Sequence, residues 1–196
     1  ANGAQRSYEL APDITLNFLY QKFYEEEAKD ENNYSVCFLL KQGNNNYLFT
    51  GDLEEKGEKS LVEKNDLPQC KLFKAGHHGS KTSSNDELLA KIRPEIVCVC
   101  CCCGSTEYTN DIANVFPTQD FCDRVIKYTD KIYVTTMYSE KAEGNSEKAE
   151  GNFKSLNGNI IVSSNGGEVK VTCSGSNEPF TKSEWYLKYR AGNKAA

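Results

Sequence analysis

An α/β fold with a parallel core is what this sequence predicts, and three observations carry that expectation. Short apolar runs alternate with helical patterns from residue 47 to residue 136. The run EIVCVCCCC at 95–103 is apolar throughout, as in a strand covered on both faces. The order strand–helix–strand–helix–strand implies right-handed crossovers and therefore parallel pairing.

Taken in order, DITLNFLY (13–20) alternates well enough for a strand, and FYEEEAKDENN is a charged loop. YSVCFLLKQGNNNYLFTGD reads as a hairpin with strands 34–40 and 47–50 around a Gly-Asn turn at 43–46. Residues 54–64 have a helical pattern, with Leu61 and Val62 inward, and 70–75 is a short strand. Ser84 with Glu87 forms a capping box for a helix at 85–92, whose stripe is Leu88, Leu89 and Ile92 and which Pro94 stops. A helix at 117–128 should turn Phe121, Cys122, Val125 and Ile126 inward, and KIYVTT (131–136) is a further strand. NIIVSSNGGEVKVTC is a hairpin for which Asn165-Gly166 suits a type I′ turn. Thr181 with Glu184 opens a short terminal helix through Trp185, Leu187 and Tyr189. The chain therefore divides into a main unit at 1–173 and a tail at 174–196. The heptad SEKAEGN, repeated in tandem from 139 to 152, has no large apolar residue, so 137–156 is expected to be a mobile loop.

Composition bounds the function. The chain has 196 residues, 38% of them hydrophobic and 26% charged, with a net charge of −5. That balance suits a soluble domain and argues against broad, sequence-independent affinity for nucleic acid, which needs a basic surface. No apolar run is long enough to span a bilayer, and ANGAQRSYELAPD lacks the apolar centre of a secretory signal. A cytoplasmic setting is the expectation, and nine cysteines fit a reducing compartment. Consecutive cysteines on a strand point to opposite faces and cannot converge tetrahedrally on zinc. The CVCCCC run (98–103) is therefore read as small apolar residues of a buried strand.

The two histidines of the chain, His77 and His78, stand side by side between Gly76 and Gly79, after the strand at 70–75. Asp52 follows the strand at 47–50. Carboxyl ends of parallel strands share one edge of the sheet, where ligands bind. If those strands are neighbours, a carboxylate and two imidazoles meet there, as metal ligands or as an acid–base pair. Ser80, Lys81, Thr82 and Ser83 follow, just before a helix N-terminus that favours an anion such as phosphate.

YLFTGDLEEKGEKSL and CKLFKAGHHGSKTSSNDELLAKIRPEIV resemble the C-terminal half of the metallo-β-lactamase superfamily, in its ComEC-like branch. The resemblance runs from about Ile14 to Val171, with TGD (50–52) and GHHGSKTS (76–83) its most specific motifs. DENNYSVCFLL fits the family's Asn-Ser strand ahead of the aspartate. The resemblance implies an αββα sandwich, here an incomplete C-terminal portion, and a metal-activated water that attacks phosphodiesters or other esters. It implies that Asp52 bridges two zinc or manganese ions and that His78 is a metal ligand. His77 then serves as a ligand, as a catalytic neighbour or as a contact for a substrate phosphate. Ser80, Lys81, Thr82 and Ser83 become substrate contacts.

Two departures stand out. The family's leading HxHxDH motif is absent, and Phe116-Pro117 stands where relatives often carry His-Pro. A binuclear centre cannot be completed by these histidines alone, so a missing N-terminal half or a partner chain is expected to complete it. The competing expectation is a non-catalytic interaction module on the same scaffold.

Overall fold

In the computed structural model, residues 3–139 and 153–192 are described. An eight-stranded sheet organises them, its strands lying side by side in sequence order. They are β1 (Ser7–Ala11), β2 (Ile14–Phe18), β3 (Phe38–Gln42), β4 (Asn45–Phe49), β5 (Leu72–Lys74), β6 (Ile96–Cys103), β7 (Ile132–Tyr138) and β8 (Phe153–Ser155). β1 to β4 form an antiparallel meander. β4 to β7 are parallel, as the alternation with helices requires, and β8 returns antiparallel.

The three parallel crossovers contain α1 (Glu55–Lys64), α2 (Asp86–Ile92) and α3 (Gln119–Val125), and α4 (Glu184–Tyr189) follows near the end of the chain. Alternation along each strand decides which residues these helices cover. Leu39, Leu48, Phe73, Val97 and Ile132 stand in register across β3 to β7. They share one core with Leu61 of α1, Leu88, Leu89 and Ile92 of α2, Phe121 and Val125 of α3, and Tyr186 of α4. The opposite face presents Tyr47, Leu72, Ile96, Cys98 and Tyr133, which pack on a separate hairpin of β9 (Ile160–Ser164) and β10 (Val169–Cys173). The result is a mixed α/β sandwich: a helix layer, a large mixed sheet and a small second sheet. Beyond the hairpin the same face continues as a row of half-buried rings, Phe18, Phe38 and Phe49, with Tyr8 at its end.

Several local expectations are corrected. Asn85, not Ser84, caps α2, its side chain accepting from Leu88 N. Ser183, not Thr181, caps α4, while the Thr181 hydroxyl donates to Asp130 O. Ser/Thr/Asn neighbours offer equivalent oxygens, so composition alone leaves the capping residue open by one or two positions. Residues 165–168 form a four-residue loop, since Ser164 pairs directly with Val169 and only Gly166 of the Asn-Gly pair has positive φ. The 117–128 helix is shorter than expected and leaves Ile126 exposed. Residues 34–37 are not strand, because a 3₁₀ turn occupies Glu31–Tyr34. β1 and β8 lie where no strand was expected. The SEKAEGN repeat falls almost wholly outside the described residues, although β7 and β8 extend into the span expected to be mobile.

Candidate active site

β4 and β5 are adjacent and parallel, so the segments leaving their carboxyl ends meet at one sheet edge. Thr50-Gly51-Asp52 leaves β4 and turns at once: Gly51 has φ +58°, and a Cβ there would lie 2.9 Å from the Ser35 side chain. Ser35 Oγ accepts a hydrogen bond from Asp52 N at 2.9 Å. Asn33 Oδ1 accepts from Glu54 N at 3.3 Å, and its amide donates to Glu54 Oε2 at 3.1 Å. These two side chains therefore fix both ends of the aspartate loop. The Asn-Ser element expected on a strand sits instead in the 3₁₀ turn and just after it.

The histidine pair leaves β5 as a second sharp turn, tied to the first by His77 N donating to Gly51 O at 3.1 Å. His77 (φ 44°, ψ 50°) and His78 (φ 56°, ψ 20°) are both left-handed, followed by Gly79 at φ +79°. Two consecutive non-glycine residues in that region are strained, and such strain concentrates at functional sites. The turn splays the rings apart, 6.2 Å between centroids. His77 Nδ1 meets Thr82 Oγ1 at 3.2 Å, and that hydroxyl meets Ser80 Oγ at 3.0 Å.

His78 Nδ1 lies 2.7 Å from Cys100 O. A carbonyl only accepts, so Nδ1 carries a proton, and it is Nε2 that is left for a further partner. That Nε2 lies 3.6 Å from Asp52 Oδ2. The Cys100 carbonyl is available because the β6–β7 register slips between Val99 and Cys102. Val99 pairs with Val134 and Cys102 with Thr136, so β6 carries one extra residue, a bulge of the kind found beside active sites. The CVCCCC run is consequently not a uniformly buried strand. Cys98 and Cys103 are buried, Cys100 is exposed, and Cys101 and Cys102 are intermediate. Burial pushes the Cys102 thiol up, and those of Cys101 and Cys103 further, so these three are poor thiolates.

Asp52, His77, His78, Cys102, Tyr108 and Phe116 line one cavity of about 420 Å³. The Phe116 ring stands 6.3 Å from each imidazole and 6.0 Å from the Tyr108 ring. The SKTS segment lies differently. Ser83 is fully buried and its hydroxyl donates to Leu53 O, while Ser80 is buried beside Thr82. Lys81 and Thr82 face a second cleft, and Lys81 Nζ donates to Asn114 Oδ1 at 2.9 Å.

The α2 N-terminus, expected to attract an external anion, is already taken by a carboxyl of the chain itself. Glu58 of α1 is fully buried and accepts from Ser84 N, Asn85 N and Asn85 Nδ2 at 2.7–2.8 Å. Nothing in the chain's periodicity marks it, because a glutamate in the first turns of a helix reads as solvated. Burial pushes its carboxyl up to about 7, against the opposing pull of the Asn85 and Ser84 N–H groups and the Arg124 charge. A raised value means that the folded chain binds this proton more tightly than the unfolded one. The group's stabilising contribution is therefore full below its ordinary 4.5 and lost as pH rises to about 7. Glu58→Gln should remove that decline, seen as a flatter pH profile of the urea midpoint between those two values. Parallel profiles for the two proteins would show that Glu58 stays ionised.

Residues 26–103, which include Asp52, the histidine pair and the SKTS segment, match the metallo-β-lactamase superfamily. Curated relatives point to one branch of it. Recombination protein 2 of Haemophilus influenzae is 36% identical over 84 residues, covering 43% of this chain and 10% of its own length. ComE operon protein 3 of Bacillus subtilis is 36% identical over 74 residues, 35% of this chain and 9% of that protein. Competence protein ComA of Neisseria gonorrhoeae is 32% identical over 123 residues, 62% of this chain and 17% of that protein.

Residues 26–103 are thus similar to a metallo-β-lactamase superfamily domain, and the relatives that share the similarity are competence and recombination proteins. The chain spans no more than about a sixth of the length of these relatives. No group of three or more His, Cys, Asp and Glu side chains that could hold a metal occurs among the described residues. No helix among those residues is long and apolar enough to cross a membrane.

Proposed function

We propose that this domain is part of a metal-dependent hydrolase acting on phosphodiesters, with Asp52 and His78 as two donors to a shared zinc or manganese ion. One observation carries the reading: Asp52 Oδ2 and His78 Nε2 face each other at 3.6 Å, and with the ring neutral both atoms offer lone pairs to the space between them. Nδ1 of the same ring is held by a carbonyl, as metal-ligating histidines commonly are. Two donors on one tetrahedral zinc stand roughly 3.3 Å apart, given bonds of about 2.0–2.1 Å, so the pair fits the ion. Further donors come from a segment outside the described residues, either more of the same polypeptide or a partner chain. That segment would also cover the half-exposed row Phe18, Phe38 and Phe49.

A bound ion of this kind supplies Lewis acidity and a water acidic enough to attack at neutral pH. The chain's own residues do the rest. Asp52 and His78 bind, and the Cys100 carbonyl keeps the His78 ring in the tautomer that binds. When the Thr82 hydroxyl donates to His77 Nδ1, the His77 Nε2–H is left to donate to a substrate phosphate oxygen. The Phe116 ring forms an apolar wall beside both imidazoles. Lys81 and Thr82, on the second cleft, would meet a longer substrate beyond the scissile bond, with Ser80 and Ser83 supporting their loop. The two-donor count favours a second reading, an interaction module without catalysis.

The test is release of nitrophenol from bis(4-nitrophenyl) phosphate by the longest form of the protein that contains this chain. Zinc or manganese should raise the rate and a chelator should abolish it. Metal-independent hydrolysis would remove the metal assignment, and no hydrolysis with no bound metal would leave the interaction module.

A further inference from the structure

Just after α4 lies a buried arginine that no part of the proposed chemistry uses. Arg190, just after α4, is 3% exposed and has no acidic partner among the ion pairs of the described residues. Removing a guanidinium from water without a counter-charge is costly unless its donors are satisfied by good hydrogen bonds. Here they bind main-chain carbonyls: Nε to Pro117 O at 3.0 Å, Nη2 to Val115 O at 3.0 Å, and Nη1 to Tyr189 O at 3.1 Å. The residue between the first two acceptors is Phe116, whose ring borders both imidazoles.

The carbonyl of Phe116 itself accepts from Gly104 N at 2.9 Å. Gly104 has φ +78°, and a Cβ there would lie 2.7 Å from Trp185 Nε1, so the indole of α4 closes over this glycine. The Arg190 guanidinium in turn stacks 4.4 Å from the centre of the Trp185 ring. All three carbonyls of the 115–117 loop are thus fixed, two by Arg190 and one by a glycine that Trp185 covers. The loop belongs to neither sheet nor helix; its further backbone ties are Val115 N to Asp111 O at 3.2 Å and, just beyond it, Thr118 N to Gly79 O at 2.9 Å, neither of which engages Phe116 itself.

We infer that the tail is a positioning element of the site, with Arg190 a positioning residue that sets Phe116 against His77 and His78. This goes beyond the proposed hydrolase reading and rests on it only in treating the Asp52–His78 pair as the site. The chain has just two histidines, so their ring resonances in proton–carbon correlation spectra report the local geometry directly and need no activity.

Phe116→Leu gives the signature of a lost ring: displaced Hε1 resonances for both histidines. Arg190→Met should displace the same two resonances in the same direction, and Arg190→Lys, which keeps part of the carbonyl bonding, should displace them less. Should Arg190→Met fail to fold, Gly104→Ala, which pushes Trp185 off the loop, should produce the same displacement. Histidine resonances that match the unaltered chain in folded Arg190→Met or Gly104→Ala, whatever the loss of stability, would reduce the tail to a structural cap. That outcome would leave the metal reading of Asp52 and His78 standing.

Discussion

Asp52→Asn is expected to lower metal-dependent phosphodiester hydrolysis by at least about a hundredfold, the upper end of what is lost on removing an outer-sphere partner of a metal ligand. The exchange is nearly isosteric, and the bonds that shape the loop involve the Asp52 main-chain N–H with Ser35 Oγ and the Glu54 groups with Asn33. The loop should therefore keep its form while the carboxylate charge facing His78 is lost. His78→Asn should cost a comparable factor. The double variant should cost little more than either single one, because groups that act as a unit are strongly non-additive. Hydrolysis within a few-fold of the unaltered protein would remove Asp52 from the chemistry. Two independent, multiplying losses would mean that the carboxylate and the imidazole do not share an ion.

Phe73→Ala should destabilise the fold by about 3–5 kcal/mol, the usual cost of truncating a phenylalanine in a core that cannot collapse around the void. Phe73 is fully buried at the centre of β5, between Leu48 and Val97 in register. β5 is only three residues long, and the histidine turn begins two residues after it. The same variant should therefore broaden or shift the histidine resonances before global unfolding. Chemical denaturation supplies the free energy, and a cost below about 1 kcal/mol would mean that neighbouring side chains refill the space.

The parallel core was legible because its signals are long and redundant. The apolar run of β6, the stripes of α2 and α3, and the glycine-bounded Asp52 and His77-His78 turns all point to the same sheet edge. Positions decided by tertiary contact were not legible. Ser84 and Asn85 are equally good caps on paper, and the choice falls to Asn85 because Glu58 approaches from α1 and takes the Ser84 and Asn85 N–H groups. The Cys100 carbonyl is invisible in principle, being main chain exposed by a one-residue slip in register. Arg190 was hidden for a similar reason, since its partners are carbonyls some 70 residues earlier. β1 and β8 are short edge strands whose residues are largely exposed, and exposed strands carry little apolar alternation.

The proposed hydrolase reading depends on Asp52 and His78 holding one ion between them, and a zinc titration followed through the nitrogen resonances of the two imidazoles tests this most directly. His78 Nε2 should shift and saturate with zinc while Nδ1 keeps its proton, and Asp52→Asn should weaken that response by at least about tenfold. A His78 signal indifferent to zinc, or a response unchanged by Asp52→Asn, would contradict it.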